Sequence, residues 1–154
     1  MPKIYLGGKY SDLFATVDQE DFDLLSVFSW CYDGHGYATT RISKSRLEMM
    51  HRMIMKVSVH SIKVDHINHN TLDNRKENLR FVTDQQSMSN RLPYAKSGYK
   101  GVRRKSNTWE ANITIDKKQK YLGKFSNPED AAKAYDKEAK KAFGVFAYIN
   151  FQGE

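Results

Sequence analysis

The chain carries one cysteine, Cys31, and three prolines in 154 residues. A lone thiol excludes an internal disulfide and any zinc centre built from several cysteines. Cys31 reads instead as a small buried apolar residue. No apolar run approaches the roughly 18 residues that a membrane-spanning helix needs. The opening MPKIYLGG lacks the apolar segment of a secretion signal. These absences predict a soluble cytoplasmic protein with no membrane partner, and nothing in the sequence points to an obligate protein partner. The length fits one domain or two small ones.

What is present is positive charge, spread unevenly. The formal net charge is +7, from 25 Lys/Arg and 18 Asp/Glu. Residues 1–60 carry 7 basic and 7 acidic groups, residues 61–92 carry 5 and 4, and residues 93–154 carry 13 and 7. The surplus therefore sits in the last third, where a polyanion would be drawn first. A solvated basic surface has the same composition, so charge alone does not decide for nucleic acid.

The stretch with the most chemistry is VDHINHNTLDNRKENLR, residues 64–80. Asp65-His66 ends a β-branched run (Ile62, Val64), which puts an acid and an imidazole where a strand gives way to a loop. A carboxylate can hold a hard divalent cation and an imidazole can take a proton from water. Asp-His alone is a weak signal; the asparagine spacing behind it makes it specific.

Residues 49–91, from MHRMIM to TDQQSMSNR, resemble the HNH endonucleases of the phage and homing type. Their ββα-metal motif runs strand, loop, strand, helix. The resemblance implies His66 as general base, Asp65 as metal ligand, Asn78 as the asparagine that braces the loop and orients the base, and one Mg²⁺ or Mn²⁺. A second ligand, usually Asn or His, comes from the following helix. Here the aligned position is Ser87, with Asn90 about one turn further on the same face. Three arrangements stay open: Ser87 acts through a water, Asn90 replaces it, or the chain is a catalytically weakened nuclease, by nature or by design.

Ahead of the motif, Phe14–Val17 is a strand, and Asp18 caps a helix whose apolar face is Leu24, Leu25 and Phe28. Trp30–Tyr32 and Tyr37–Thr40 form a hairpin around Asp33-Gly34-His35-Gly36. Met49, Met50, Met53, Ile54 and Met55 are core packing beneath the site, with His51 structural. His35 and His60 take no role, and His69 is a turn residue. Asp73-Asn74 turns into a short helix that Asn78 interrupts. Thr83 and Gln86 make a capping box for a helix over 84–91. Residues 93–98 are a linker, since Pro93 stops the helix and Ser97-Gly98 reopen the chain. Beyond it, Tyr99–Arg104, Trp109–Ile115 and Lys120–Phe125 are strands. Trp109, Ala111, Ile113 and Ile115 share one face, and Asp116–Gln119 is a turn. Ser126 and Glu129 cap a last, alanine-rich helix to Phe143.

This third segment resembles the plant Apetala/ethylene-response-factor DNA-binding domain, which is also found fused to phage HNH nucleases. YKGV at Tyr99–Val102, WEANI at Trp109–Ile113, YLGKF at Tyr121–Phe125, AAKAYD at Ala131–Asp136 and Asn150-Phe151 carry the likeness. The resemblance implies that the three-stranded sheet enters the major groove of double-stranded DNA. Lys100, Arg103, Lys105, Asn112, Thr114, Gln119 and Tyr121 would face it, with Arg104 and Lys120 adding phosphate contacts. Several family Arg and Trp positions are other residues here, so the family's GC-rich preference does not carry over.

The expectation is an α+β protein: a β-rich N-terminal region leading into a ββα-metal motif, then a three-stranded antiparallel sheet packed on one helix. Residues 1–92 would be the nuclease domain and 99–154 the DNA-binding domain. The function expected is a metal-dependent endonuclease nicking duplex DNA in a bacterial or phage-infected cytoplasm. The alternative is a DNA-binding regulator with an inactive nuclease fold.

Overall fold

A computed structural model describes residues 1–59 and 61–152. His60 lies outside the described residues. The fold is α+β, and the chain divides into two compact units, Met1–Val82 and Thr83–Glu154.

In the first unit, β1 (Lys3–Tyr5) pairs antiparallel with β2 (Phe14–Thr16). Helix α1 (Gln19–Ser26) follows. Asp18 precedes it, as its sequence predicts, but makes no side-chain cap; its Oδ2 accepts from Lys76 N at 2.7 Å instead. Leu25 is fully buried and Phe22 and Phe28 pack beside it, whereas Leu24 is 58% exposed. The expected face thus holds at Leu25 and Phe28, with Phe22 on it in place of Leu24. Strands β3 (Trp30–Tyr32), β4 (Ala38–Ser43) and β5 (Arg46–Met49) form an antiparallel sheet. The expected hairpin is its first half, closed by Asp33 Oδ1, which accepts from His35 N and Tyr37 N at 2.8 and 2.9 Å. Strand alternation buries Trp30 and turns Cys31 outward, so the thiol is exposed and not a core residue. Helix α2 (Met50–Ile54) buries Met50 and Ile54 in the core with Leu6, Val17 and Leu25.

Strands β6 (Lys63–His66) and β7 (Leu79–Val82) pair antiparallel, with Asp65 opposite Arg80 and His66 opposite Leu79. The loop between them is sewn to β2: Thr16 N donates to Leu72 O and Asn74 N donates to Thr16 O, both at 2.8 Å. The expected short helix is a 3-10 turn, Lys76–Asn78.

The second unit opens with α3 (Asp84–Asn90), whose Thr83–Gln86 capping box forms as predicted. Strands β8 (Val102–Lys105), β9 (Thr108–Ile115) and β10 (Lys118–Phe125) make one antiparallel sheet. Asp116 and Lys117, with φ of 50° and 63°, are the two-residue turn from β9 to β10. Helix α4 (Pro128–Phe143) lays Ala131, Ala132, Tyr135 and Ala139 against Val102, Ala111 and Ile113. Its cap is Asn127, which accepts from Asp130 N, rather than Ser126. Gly101 sits where α4 meets the sheet: a Cβ there would lie 2.0 Å from the Tyr135 ring, at a φ of +76°. Asp136 fixes the chain end by accepting from Asn150 N and Phe151 N.

Candidate active site

The site is built in the β6–β7 loop. β6 ends on Asp65 and His66, so successive side chains leave it on opposite faces. His66 is 4% exposed and Asp65 is half-buried. Asn78 bonds to the loop backbone twice: its Oδ1 accepts from Asn68 N at 2.9 Å, and its Nδ2 donates to Asp73 O at 2.7 Å. Asp73 is held in turn by Arg75 and by Asn68 Nδ2, and the Arg75 bond keeps its carboxyl below the usual range.

The side chain against the His66 ring is Asn74, whose Oδ1 lies 3.2 Å from His66 Nε2. Asn74 is fully buried. With Asn74 Oδ1 as acceptor, Nε2 is the donor and the lone pair of neutral His66 falls on Nδ1. Asn74 thus holds the His66 ring, while Asn78 bonds to the backbone of the loop around it. The sequence puts both in Asn-rich turns, and only the pinning of Asn74 to Thr16 separates their jobs.

His51, expected as a structural residue, meets the same ring. It is buried, and its ring stands edge-on to His66 with centroids 5.1 Å apart; Tyr37 lies 5.3 Å from His51 and 6.1 Å from His66. Burial drives the His51 pKa down to about 3, and His66 and Arg52 push the same way. Burial also lowers the pKa of His66, against the opposing pull of Asn74, Asp65 and Asp73. Both imidazoles are thus neutral near pH 7, and a neutral imidazole is one able to accept a proton.

Asp65, the residue before His66 on β6, offers one hard anionic oxygen donor, and a cation already meets it: Arg80 Nη2 lies 3.2 Å from Asp65 Oδ2. The donor set fits a hard divalent ion held by one carboxylate, with water and substrate oxygens completing the shell. Among the described residues no group of three or more His, Cys, Asp or Glu could hold a metal by itself.

Residues 61–89 match the HNH endonuclease family. An uncharacterized HNH endonuclease of Acanthamoeba polyphaga mimivirus is 31% identical over 93% of this chain and 78% of its own length. The chain belongs to the HNH endonuclease family. It is also 46% identical, over 41% of its length, to an AP2-like ethylene-responsive transcription factor of Arabidopsis thaliana, TOE2, of which it spans 14%. A second such factor, AIL7, is 33% identical over 62% of this chain and 19% of its own length.

Within this HNH chain, Asp65 and His66 end β6 and Asn78 closes the loop that follows, all in the first unit. Ser87 and Asn90 lie on α3 in the second unit, Ser87 half-buried and Asn90 buried. Of the expected DNA-facing residues, Asn112 and Tyr121 are cross-strand partners, as are Thr114 and Gln119. Thr114, Gln119 and Tyr121 are exposed, and Asn112 is half-buried. Arg103 and Lys105 share the same face and both clasp the buried Glu110, at 2.8 and 3.0 Å. The other three are placed differently. Lys120 pairs with Glu138 of α4 at 2.7 Å, and Arg104 lies over the Trp109 ring. Lys100 Nζ donates to Met88 O, Ser89 O and Arg91 O, closing the carboxyl end of α3. Burial there lowers its pKa to about 8. No described helix is long and apolar enough to cross a membrane.

Proposed function

We propose that the chain is a divalent-cation-dependent DNA endonuclease that nicks one strand of duplex DNA. Residues 1–92 are its nuclease part and residues 99–154 its DNA-gripping part, joined through 93–98. The observation that carries the reading is the neutral His66 ring, anchored by Asn74 at the end of the strand that also carries Asp65.

In this reading His66 Nδ1 takes a proton from the attacking water. Asn74 fixes the ring and stabilises the imidazolium that results, because its amide oxygen keeps the Nε2 proton bonded. Asn78 holds the loop that carries both. Asp65 would hold Mg²⁺ or Mn²⁺, the resemblance alone naming Ser87 or Asn90 for a second ligand. Such an ion supplies charge neutralisation at the phosphate and at the departing 3′ oxygen. Arg103, Lys105, Asn112, Thr114, Gln119 and Tyr121 meet the duplex. Arg104 and Lys120 anchor phosphates at its edge, with Lys100 contributing from the α3 junction. One base per chain makes a single-strand nick the product of each encounter.

The rival reading, a DNA-binding regulator with a weakened nuclease fold, draws on the neutral Ser87 hydroxyl where the family has Asn or His. Supercoiled plasmid incubated with Mg²⁺, Mn²⁺ or chelator separates the two. The endonuclease reading expects cation-dependent relaxed circles, and Ser87→Asn raising their rate. Tight DNA binding with no relaxed product in any cation, for both the native chain and Ser87→Asn, establishes the regulator instead.

A further inference from the structure

Asp65 and Arg80 are direct partners across the β6–β7 ladder. Their side chains are only 19% and 14% exposed, and Arg80 Nη2 lies 3.2 Å from Asp65 Oδ2. An ion pair so covered is screened by salt far less than one on the surface. Removing the guanidinium costs that partly buried carboxylate its ion pair with Arg80. That carboxylate is also the one that holds the divalent cation in the proposed function. Guanidinium and divalent cation are therefore rivals for one group. With no cluster of three His, Cys, Asp or Glu among the described residues, much of the ion's shell is left to neutral oxygens, those of water and of the DNA among them. A DNA phosphate is, in turn, the anion best matched to a displaced guanidinium.

We infer that Arg80 is the resident counterion of Asp65 in the DNA-free protein, and that a DNA phosphate draws it away, so that cation loading is coupled to DNA binding. The inference rests on the reading of Asp65 as a cation-holding residue. Its consequence is an enzyme whose free form holds its cation poorly and becomes loaded on the duplex. Linkage makes the effect reciprocal: the duplex strengthens cation binding by the factor by which the cation strengthens duplex binding.

The test measures Mn²⁺ binding by electron paramagnetic resonance, using the full chain with His66→Ala so that no DNA is cut. It is done with and without a short duplex, and the Asp65→Asn chain gives the background. Arg80→Gln should bind Mn²⁺ about tenfold more tightly in the DNA-free state, a factor within the usual range of site-to-site coupling. The duplex should then strengthen its Mn²⁺ binding far less than it does for Arg80. Equal DNA-free affinities, or equal strengthening by the duplex, overturn the inference while leaving Asp65 as a cation ligand. An absence of any Asp65-dependent Mn²⁺ binding overturns the cation role itself, and the inference with it.

A second measurement covers an Arg80→Gln chain that does not fold. In chelator, Asp65→Asn removes the carboxylate that holds Arg80, so duplex binding should tighten several-fold more than loss of one negative charge achieves at the exposed Asp12, through Asp12→Asn. Equal tightening by the two changes overturns the inference.

Discussion

His51 makes the first unit acid-sensitive. Its pKa is about 3 in the fold against 6.5 in a free chain, chiefly because the ring is buried. The unfolded chain therefore takes up a proton below about pH 6.5 that the folded chain refuses. The stability held by neutral His51 is fully present above that pH and drains away as the pH falls toward 3. A tenfold difference in proton affinity between the two states is worth about 1.4 kcal/mol, so going from about pH 8 to about pH 5 removes about 2 kcal/mol through His51 alone. The pKa of His66 moves in the same direction and adds to the loss. His51→Gln is less stable at pH 8, having lost the ring contacts with His66 and Tyr37. Its loss on acidification should nevertheless be smaller than the native chain's by about 2 kcal/mol. Urea unfolding read from Trp30 fluorescence, with Trp109→Phe in both chains, measures the difference. Equal losses in the two chains would refute the claim that His51 is buried in neutral form.

Asn74→Leu leaves the His66 Nε2–H without its acceptor; at about 1–3 kcal/mol for a broken buried bond, single-turnover nicking should drop about ten- to a hundredfold while duplex affinity holds. An unchanged rate would return the orienting role to Asn78. Gly101→Ala sets a Cβ 2.7 Å from Asn112 O as well as into the Tyr135 ring, at a left-handed φ. Overpacking and backbone strain together should destabilise the second unit by about 2–4 kcal/mol in a thermal melt, and a native-like melt would mean the helix–sheet contact is looser than described.

Much of this structure is legible in the chain because the signals are local. The β-branched run before Asp65-His66, the Thr83–Gln86 box and the alternation from Trp109 to Ile115 each follow from neighbours a few residues apart, and each forms. What the sequence leaves hidden is which partners the fold brings to each side chain. Asn74 and Asn78 are the same residue type in the same kind of turn. Only the hydrogen bonds to Thr16 put Asn74 under His66. His51 meets His66 because α2 and the end of β6 converge, which no short spacing encodes. Lys100 looks like any sheet cation until three carbonyls of the α3 end are seen to hold it. Arg103 and Lys105 suit DNA contacts by sequence, yet each already holds Glu110, which alternation assigns to the open face of the sheet. Cys31 has the composition of a core residue, but its strand register turns it out.

The most direct measurement compares the native chain with His66→Ala on an end-labelled duplex in Mn²⁺, following binding and strand scission in the same samples. If His66 is the base, binding is equal and scission slows by at least about a hundredfold, the magnitude expected for loss of a positioned base. Scission by His66→Ala at close to the native rate, with binding intact, would contradict that role.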